Sequence, residues 1–259
     1  MVLLLVLVGL LGLCIGSFLN VVIHRVPIGM SVVSPPSSCP GCASPIRARH
    51  NVPVGGWLLL RGRCADCGAG ISARYPVVEL LTGAVFVLVT WRVLQLDQVA
   101  ALPALLTFAA LGIALAAIDL DTRRLPDALV LPAYPVLGVL LVGAAALRDD
   151  WWAAARSGLG ALALFAFFFA LAVISPQGMG FGDVKLAGVI GLVLGYFSWS
   201  TLVVGAFAGF LLGAVVGVAL IAVGAGSRKT AVPFGPFMVL GAVVSLWLTD
   251  PVTGFLLAG

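Results

Sequence analysis

Two aspartates at the ends of apolar segments are the residues of this sequence best placed to do chemistry. Asp119 ends one apolar run, and Asp183 closes Gly180-Phe181-Gly182-Asp183 just before another. Ionisable side chains at a bilayer cost free energy and are commonly functional and paired. In a close pair of carboxyl groups, one can hold a proton while the other, ionised, draws a proton from water. The pair therefore predicts the chemistry of an aspartyl protease, with Asp119 and Asp183 as its catalytic residues.

Glycines precede the second acid. Gly178, Gly180 and Gly182 place three residues without side chains within five positions, which lets the backbone approach an extended substrate closely. We expect Gly180 and Gly182 to bind substrate. The alternative for so short a motif is a plain loop in which the Asp caps a helix.

Three other acids have different interpretations. Asp121 and Asp127 are expected to be solvated charges at the membrane interface, with Asp127 placed after Pro126 to cap a helix. Glu79 lies one turn into an apolar segment, and two interpretations of it stay open. It forms an internal salt bridge, or it contacts a substrate and belongs with the substrate-binding residues.

Four of the five cysteines form two pairs, Cys39-x2-Cys42 and Cys64-x2-Cys67, with 21 residues between the pairs. This spacing is typical of a zinc ribbon, in which four thiolates close a tetrahedral structural site without an open position. A pair of disulfides is the alternative, which a reducing cytosol disfavours. The loop around them is short and rich in Pro and Gly, so bound zinc would supply much of its folding free energy.

The elements that position these residues are membrane helices. Of the 259 residues 62% are hydrophobic, with only 10 acids and 14 Lys and Arg, which makes a water-soluble fold improbable. We predict an all-α polytopic membrane protein with about eight transmembrane helices. The predicted spans are Val2–Ile23, Val77–Leu94, Ala100–Ile118, Ala128–Ala146, Arg156–Ile174, Val184–Tyr196, Thr201–Gly224 and Pro233–Leu248.

The spans divide the chain into a first transmembrane helix (1–23), a four-cysteine loop (24–76) and a multi-helix membrane domain (77–259). A seven-span count stays open, because the boundary around Phe197–Ser200 is weak. Small residues favour close helix packing at Gly188, Gly191, Gly195 and at Gly205, Gly209, Gly213, Gly217. The run Pro233–Pro236 is read as a helix start, with lining of the active-site mouth as the alternative.

Basic residues predict the orientation. With eight spans and an external N-terminus, eleven Lys and Arg fall on one side and three on the other, so the richer side is cytoplasmic. The eleven are Arg25, Arg47, Arg49, Arg61, Arg63, Arg74, Arg123, Arg124, Lys185, Arg228 and Lys229, and the three are Arg92, Arg148 and Arg156. Both candidate catalytic acids then reach the cytoplasmic side. The net charge of +4 follows from this topology, and we predict membrane lipid and no nucleic acid among the partners.

These motifs together resemble the type IV prepilin peptidases of bacteria. The resemblance covers nearly the whole chain in order, in segments 16–25, 39–42, 51–53, 60–64, 74–81, 118–127, 178–186 and 233–237. It implies an inner-membrane aspartyl endopeptidase that removes the short basic leader of type IV prepilins and pseudopilins after a glycine, at the cytoplasmic face. Asp119 and Asp183 match the catalytic pair. The resemblance further implies methylation of the new N-terminal residue with S-adenosylmethionine, an activity associated with the cysteine-bearing form.

Other classes of protein stay open from the sequence. A peptidase without methyltransferase activity keeps every motif discussed. An ion or solute transporter could use paired aspartates as a relay, although no inverted repeat is evident and the cysteine loop has no place in it. A Gly-x-Gly-Asp protease that cuts within the bilayer, and a zinc-anchored scaffold without catalysis, are the remaining alternatives.

Overall fold

A computed structural model of the protein describes residues 1–175, 179–224 and 233–257, the last eight of them by their backbone alone. The chain divides into two units, Met1–Trp91 and Arg92–Gly259. Over the described ranges the regular elements are helical, so the predicted all-α class is confirmed. The α-helices are α1 (Val2–Arg25), α2 (Gly55–Leu59), α3 (Arg74–Gln95), α4 (Leu102–Thr122), α5 (Asp127–Arg148), α6 (Trp151–Ile174), α7 (Phe181–Phe197), α8 (Trp199–Ala222) and α9 (Gly235–Leu257).

Each of the eight predicted spans coincides with a helix, but only six of these are long and apolar enough to cross a membrane in the part of the chain described. The six are Val2–Ile28, Arg74–Gln95, Val99–Thr122, Asp127–Arg148, Trp151–Ile174 and Trp199–Ala222. The protein is therefore polytopic, and eight is an approximate count. The two shorter helices are α7, with 17 residues, and the apolar stretch Gly235–Thr249 of α9. The weak boundary at Phe197–Ser200 is a true break, because α7 ends at Phe197 and α8 follows Ser198.

Helix α7 is short because it lies inside the second unit. It packs against α4, α5, α6, α8 and α9, and it is buried almost continuously from Val184 to Tyr196. A helix that is apolar on all sides is buried either in protein or in lipid, and the neighbours of α7 show that it is buried in protein. Since neighbouring helices surround it, its length of about 26 Å at 1.5 Å per residue need not match the hydrocarbon thickness of a bilayer.

Glycines bring α6 and α7 into backbone contact. A Cβ atom on Gly191 would lie 2.2 Å from the carbonyl oxygen of Gly160, and one on Gly195 would lie 2.7 Å from that of Arg156. The Arg156 guanidinium also donates from Nε to Gly195 O at 2.7 Å and from Nη2 to Phe197 O at 2.8 Å. These bonds satisfy carbonyl groups that the end of a helix leaves without partners. The predicted packing role of Gly191 and Gly195 is confirmed, and α6 is the partner.

The second glycine series packs α8 against α9. A Cβ atom on Gly209 would lie 3.2 Å from Met238 Cα, and one on Gly213 would lie 3.2 Å from the Phe234 ring. Gly241 of α9 is closer still, with 2.4 Å from its ideal Cβ position to the Gly209 nitrogen. Gly217 meets nothing within 4 Å, so the ladder stops one step short of the prediction. This packing fixes the position of α9, whose first residue reaches the candidate site.

Gly191→Ala should destabilise the protein by about 1–3 kcal/mol, because its methyl group would overlap a backbone that cannot turn aside as a side chain can. The matched control is Gly138→Ala in α5, where an added Cβ meets nothing within 4 Å. Thermal unfolding in detergent micelles measures both. Equal midpoints for the two variants would contradict the close α6–α7 contact.

Candidate active site and metal centre

Asp119 lies in the last turn of α4 and is 5% exposed. Its Oδ2 atom accepts a hydrogen bond from the Gly235 N–H at 3.0 Å, and its own carbonyl accepts the N–H of Arg123 at 2.8 Å. Arg123 is in the left-handed conformation, with φ of 52°, and ends α4. The side chain is thus held between the end of one helix and the start of another, 116 positions along the chain.

Asp183 is the third residue of α7 and is only partly exposed. Its Oδ2 atom accepts the N–H of Gly180, the residue that caps α7, at 3.2 Å. Asp119 and Asp183 interact electrostatically as like charges. The structure therefore brings together two acids that are 64 positions apart in the sequence, as the order of the spans predicted.

Leu125 lies between the helix starts that carry these contacts. An ideal Cβ on Gly182 would be 3.0 Å from Leu125 Cβ, and one on Gly235 would be 3.3 Å from Leu125 Cδ2 and 2.9 Å from Asp119 Oδ2. The absence of side chains at these two glycines leaves the space that Leu125 occupies. The interpretation of Pro233–Pro236 as a helix start is confirmed, because α9 begins at Gly235. Gly235 also contacts Asp119, and lining of the active-site mouth stays a prediction.

The two candidate substrate-binding glycines have different positions in the structure. Gly180 caps α7 and donates to Asp183, while Gly182 lies against Leu125. Substrate binding by either residue stays a prediction. Gly178, the third glycine of the motif, lies outside the described residues, as do Arg228 and Lys229 of the orientation argument.

Asp127 is the first residue of α5 and forms an ion pair with Lys185 of α7 instead of a cap bond. The ammonium of Lys185 also lies 5.1 Å from the centre of the Phe181 ring, within range of a cation–π contact. Tyr134 of α5 adds a hydrogen bond to Lys185 O at 2.7 Å. These contacts join α5 to the start of α7. The other acid that was expected at the membrane interface, Asp121, is exposed on α4.

In the first unit, Glu79 is buried and accepts the N–H of Val54 at 2.6 Å. Val54 has φ of 58°, an unfavourable conformation for a β-branched residue. The carboxylate thus stabilises a strained turn just before α2. A contact between Glu79 and a substrate stays a prediction.

The four cysteines of the loop form one cluster whose Sγ atoms all lie within 4.8 Å of one another. Two of the separations are 3.9 Å between Cys39 and Cys67 and 4.0 Å between Cys42 and Cys64. Four thiolates at about 2.3 Å from one tetrahedral ion would be roughly 3.8 Å apart. All four are free thiols. The cluster can therefore hold a metal ion, and the donor set fits zinc.

Two equivalent turns build this cluster. In the first, Ala43 N–H donates to Cys39 O and Ile46 N–H to Ser37 O; in the second, Gly68 N–H donates to Cys64 O and Ile71 N–H to Gly62 O. The residue after each second cysteine, Ala43 or Gly68, has a positive φ. Each Cys-x2-Cys thus makes one knuckle that presents two thiols to a common point.

Hydrogen bonds prepare some of these thiols to be thiolates. Bonds to Ser44 lower the pKa of the Cys42 thiol to about 7, and backbone bonds at Cys67 and Asp66 lower the pKa of Cys64. A backbone bond at Ala69 lowers the pKa of Cys67, but the hydrogen bond with Cys42, the loss of solvent and the hydrogen bonds with Cys64 and Cys39 together raise it to about 12. A metal ion must displace the remaining protons, so its affinity should fall as the pH falls.

Comparison with known proteins places this arrangement in a family. A model described as the bacterial peptidase A24 N-terminal domain matches residues 10–93, and a model of the type IV leader peptidase family matches residues 105–218. A prepilin leader peptidase/N-methyltransferase of Aeromonas hydrophila is 38% identical in an alignment of 275 positions. The alignment covers 95% of this chain and 91% of that protein. The chain belongs to the type IV leader peptidase family. Proteins of the same name from Stutzerimonas stutzeri and Pseudomonas aeruginosa are 36% and 34% identical, each over 94% of this chain and 90% of the relative.

No solved structure matches the chain. The two family models divide it between residues 93 and 105, close to the boundary between the two structural units at Trp91 and Arg92. In this leader peptidase chain the cysteine cluster and Glu79 thus belong to the first unit, and both candidate catalytic acids belong to the second. The contacts of Gly235 and Leu125 with the site were not predicted individually, although the Pro233–Pro236 motif had singled out the start of α9.

Proposed function

We propose that this protein is a membrane aspartyl endopeptidase that cleaves the leader from type IV prepilins and pseudopilins after a glycine, and that it also methylates the new N-terminal residue. The observation that carries the proposal is the position of Asp119 at the end of α4 and of Asp183 at the start of α7, beside the same residue, Leu125, and close enough for the two carboxyl groups to interact electrostatically. Membership of the type IV leader peptidase family and the names of its relatives support both activities.

Cleavage follows from the paired carboxyl groups. The ionised group takes a proton from a water molecule whose oxygen attacks the carbonyl carbon of the leader glycine, while the protonated group donates to the carbonyl oxygen. As the tetrahedral intermediate collapses, one of its two hydroxyl groups returns a proton to the carboxylate that had donated it, the C–N bond breaks, and the departing amine takes the proton that the other carboxyl group had accepted from water. One proton again remains on the pair. Asp183 and Asp119 each accept one main-chain hydrogen bond in this arrangement, from Gly180 and Gly235 respectively.

The site faces the cytoplasm from the bacterial inner membrane, on the evidence of the basic residues that flank the predicted spans. A basic leader gains no attraction from this basic side of the protein, so delivery is lateral, through the bilayer. Anionic lipid holds the leader near the membrane, and the apolar part of the substrate packs on the helices. Gly180 and Gly182 lie along the substrate backbone next to the peptide bond that is cleaved.

Zinc is the metal proposed for Cys39, Cys42, Cys64 and Cys67, in a structural role. Four thiolates saturate the ion and leave no position for water or substrate. The loop of residues 24–76 is then a zinc-stabilised module between the first helix (1–23) and the membrane domain (77–259). Glu79, at the start of the membrane domain, accepts the N–H of Val54 and so stabilises a turn of this loop, and it is a candidate for contact with substrate.

When bound, S-adenosylmethionine, the methyl donor implied by the names of the relatives, would supply an electrophilic methyl group to the new N-terminal amine; the bond between that methyl carbon and sulfur would break, and S-adenosylhomocysteine would leave. The amine must lose its proton to accept that group. The described side chains are assigned no contact with the donor. Methylation thus rests on family membership, and cleavage also rests on the acid pair.

Mass spectrometry of a prepilin-like substrate tests both activities. The substrate is incubated with the purified protein in liposomes, with and without S-adenosylmethionine, beside the Asp183→Ala variant. We expect a product that begins after the leader glycine and is absent with the variant, and an added methyl mass only when the donor is present. Cleavage without the methyl mass would leave a peptidase alone. An uncut substrate with folded protein would favour the transporter or the scaffold.

A further inference from the structure

We propose that the main-chain N–H of Gly235 is a positioning group for peptide cleavage, because it holds the Asp119 carboxyl group in its reactive orientation. This inference rests on the proposed function. The Gly235 nitrogen lies 3.0 Å from Asp119 Oδ2 in a buried contact. The N–H groups in the first turn of a helix have no acceptor within that helix, so α9 can donate this bond without loss of its own structure.

Of the residues in the first turn of α9, Gly235 is the one whose N–H can donate to Asp119. Pro236 has no N–H, and the N–H groups of Phe237 and Met238 both donate to Phe234 O at 3.1 Å. Among the first four residues of α9, Gly235 is therefore the one whose N–H is available to the acid. Because this donor belongs to the backbone, sequence patterns of catalytic side chains do not reveal it.

The position also requires glycine. A Cβ atom at residue 235 would lie 2.9 Å from Asp119 Oδ2, closer than real Cβ contacts, and 3.3 Å from Leu125 Cδ2. A side chain would push either the acid or Leu125 from its place. The hydrogen bond from Gly235 and the space left by its lack of a side chain, which Leu125 also borders, thus fix the position of the same Asp119 carboxyl group.

Asp119 needs such support because α4 itself supplies none to its side chain. The residue lies at the C-terminal end of α4, where the helix dipole repels negative charge. The start of α9 offers the opposite end of a dipole and a directed donor. Since an error of 1 Å in the placement of a catalytic group can cost about 10²-fold in rate, loss of this one bond should be visible in kcat.

The test replaces one N–H by an oxygen atom. Cell-free synthesis into nanodiscs, with a suppressor tRNA that carries glycolic acid, converts the amide at Gly235 into an ester and leaves every side chain intact. We expect kcat for cleavage of a prepilin-like substrate to fall about 10- to 100-fold, with KM within about twofold of the unmodified protein. A lower kcat with an unchanged KM indicates a group that acts on the reaction and not on substrate binding.

The matched control is an ester at Phe237, made with phenyllactic acid. An ester at 235 also weakens Phe234 O as an acceptor, and the ester at 237 removes one of the two donors to that same oxygen. It therefore reproduces the cost to the helix and leaves the bond to Asp119 in place. We expect near-normal kcat for the control, with equal yields of folded protein by size-exclusion chromatography.

Several results would overturn the inference. They are an unchanged kcat with the ester at 235, an equal loss with both esters, or a rise in KM alone. If the unmodified protein does not cut the substrate, the proposed function itself fails, and the inference fails with it. The unmodified protein thus separates the two failures.

Discussion

Asp119→Asn and Asp183→Asn should each lower kcat/KM for leader cleavage by about 10³-fold or more, without loss of the fold. An amide can neither take a proton from the attacking water nor donate the acidic proton that the two carboxyl groups share. Each substitution therefore removes the acid–base chemistry of the pair. It keeps the hydrogen bonds, because an Asn oxygen can still accept from Gly235 or Gly180 as the carboxylate does.

The same substitutions should not lower thermal stability. Two carboxyl groups that interact at a partly buried site disfavour ionisation of each other, and replacement of one of them by a neutral amide removes that cost. An inactive variant that unfolds at the same temperature as the original protein, or a higher one, is the signature of a catalytic acid. A structural acid would give a lower unfolding temperature together with lower activity.

Asp121→Asn is the matched control for these variants. It lies two positions from Asp119 on α4, is exposed, and carries the same charge. We expect activity within about twofold of the original, since surface substitutions of this kind change stability little. Initial cleavage rates by mass spectrometry, normalised to folded protein, compare the three variants. Full activity in either Asp119→Asn or Asp183→Asn would contradict the aspartyl protease mechanism.

Removal of the metal should unfold the cysteine loop. Purified protein is expected to carry about one zinc ion per chain. A chelator, or Ser at all four of Cys39, Cys42, Cys64 and Cys67, should expose residues 24–76 to trypsin at Arg47, Arg49, Arg61 and Arg63. Structural zinc in small modules contributes on the order of 10 kcal/mol or more of binding free energy at neutral pH, which exceeds what the few apolar contacts of such a loop provide.

Cys14→Ser is the control, because this cysteine lies in α1 outside the cluster. It should keep both the zinc and the resistance to trypsin. Thiol titration gives a second measurement. The metal-loaded protein should show one reactive thiol and the stripped, denatured protein five. A protein without metal, with all thiols intact and trypsin resistance unchanged by chelator, would contradict the zinc site.

Much of this fold could be predicted from the sequence because its signals are local. Long apolar runs predict helices wherever they occur, and the eight predicted spans coincide with eight helices. The two Cys-x2-Cys pairs predicted one cluster because each pair forms a turn from its own neighbouring residues. The order of the spans also predicted that Asp119 and Asp183 lie on the same side of the membrane, because Asp119 ends a span that runs toward that side and Asp183 begins a span that runs away from it.

Tertiary structure decided how the helices pack and what holds the acids. The sequence alone could not place α7 at the centre of its unit, because an apolar helix can face lipid as well as protein. Nor could it assign Arg156 to the end of α7 or Leu125 to the space beside Gly182. The bond from Gly235 to Asp119 joins a backbone atom to a side chain 116 positions away. A backbone donor has no sequence signal of its own, so only the packing of α9 against α4 determines it.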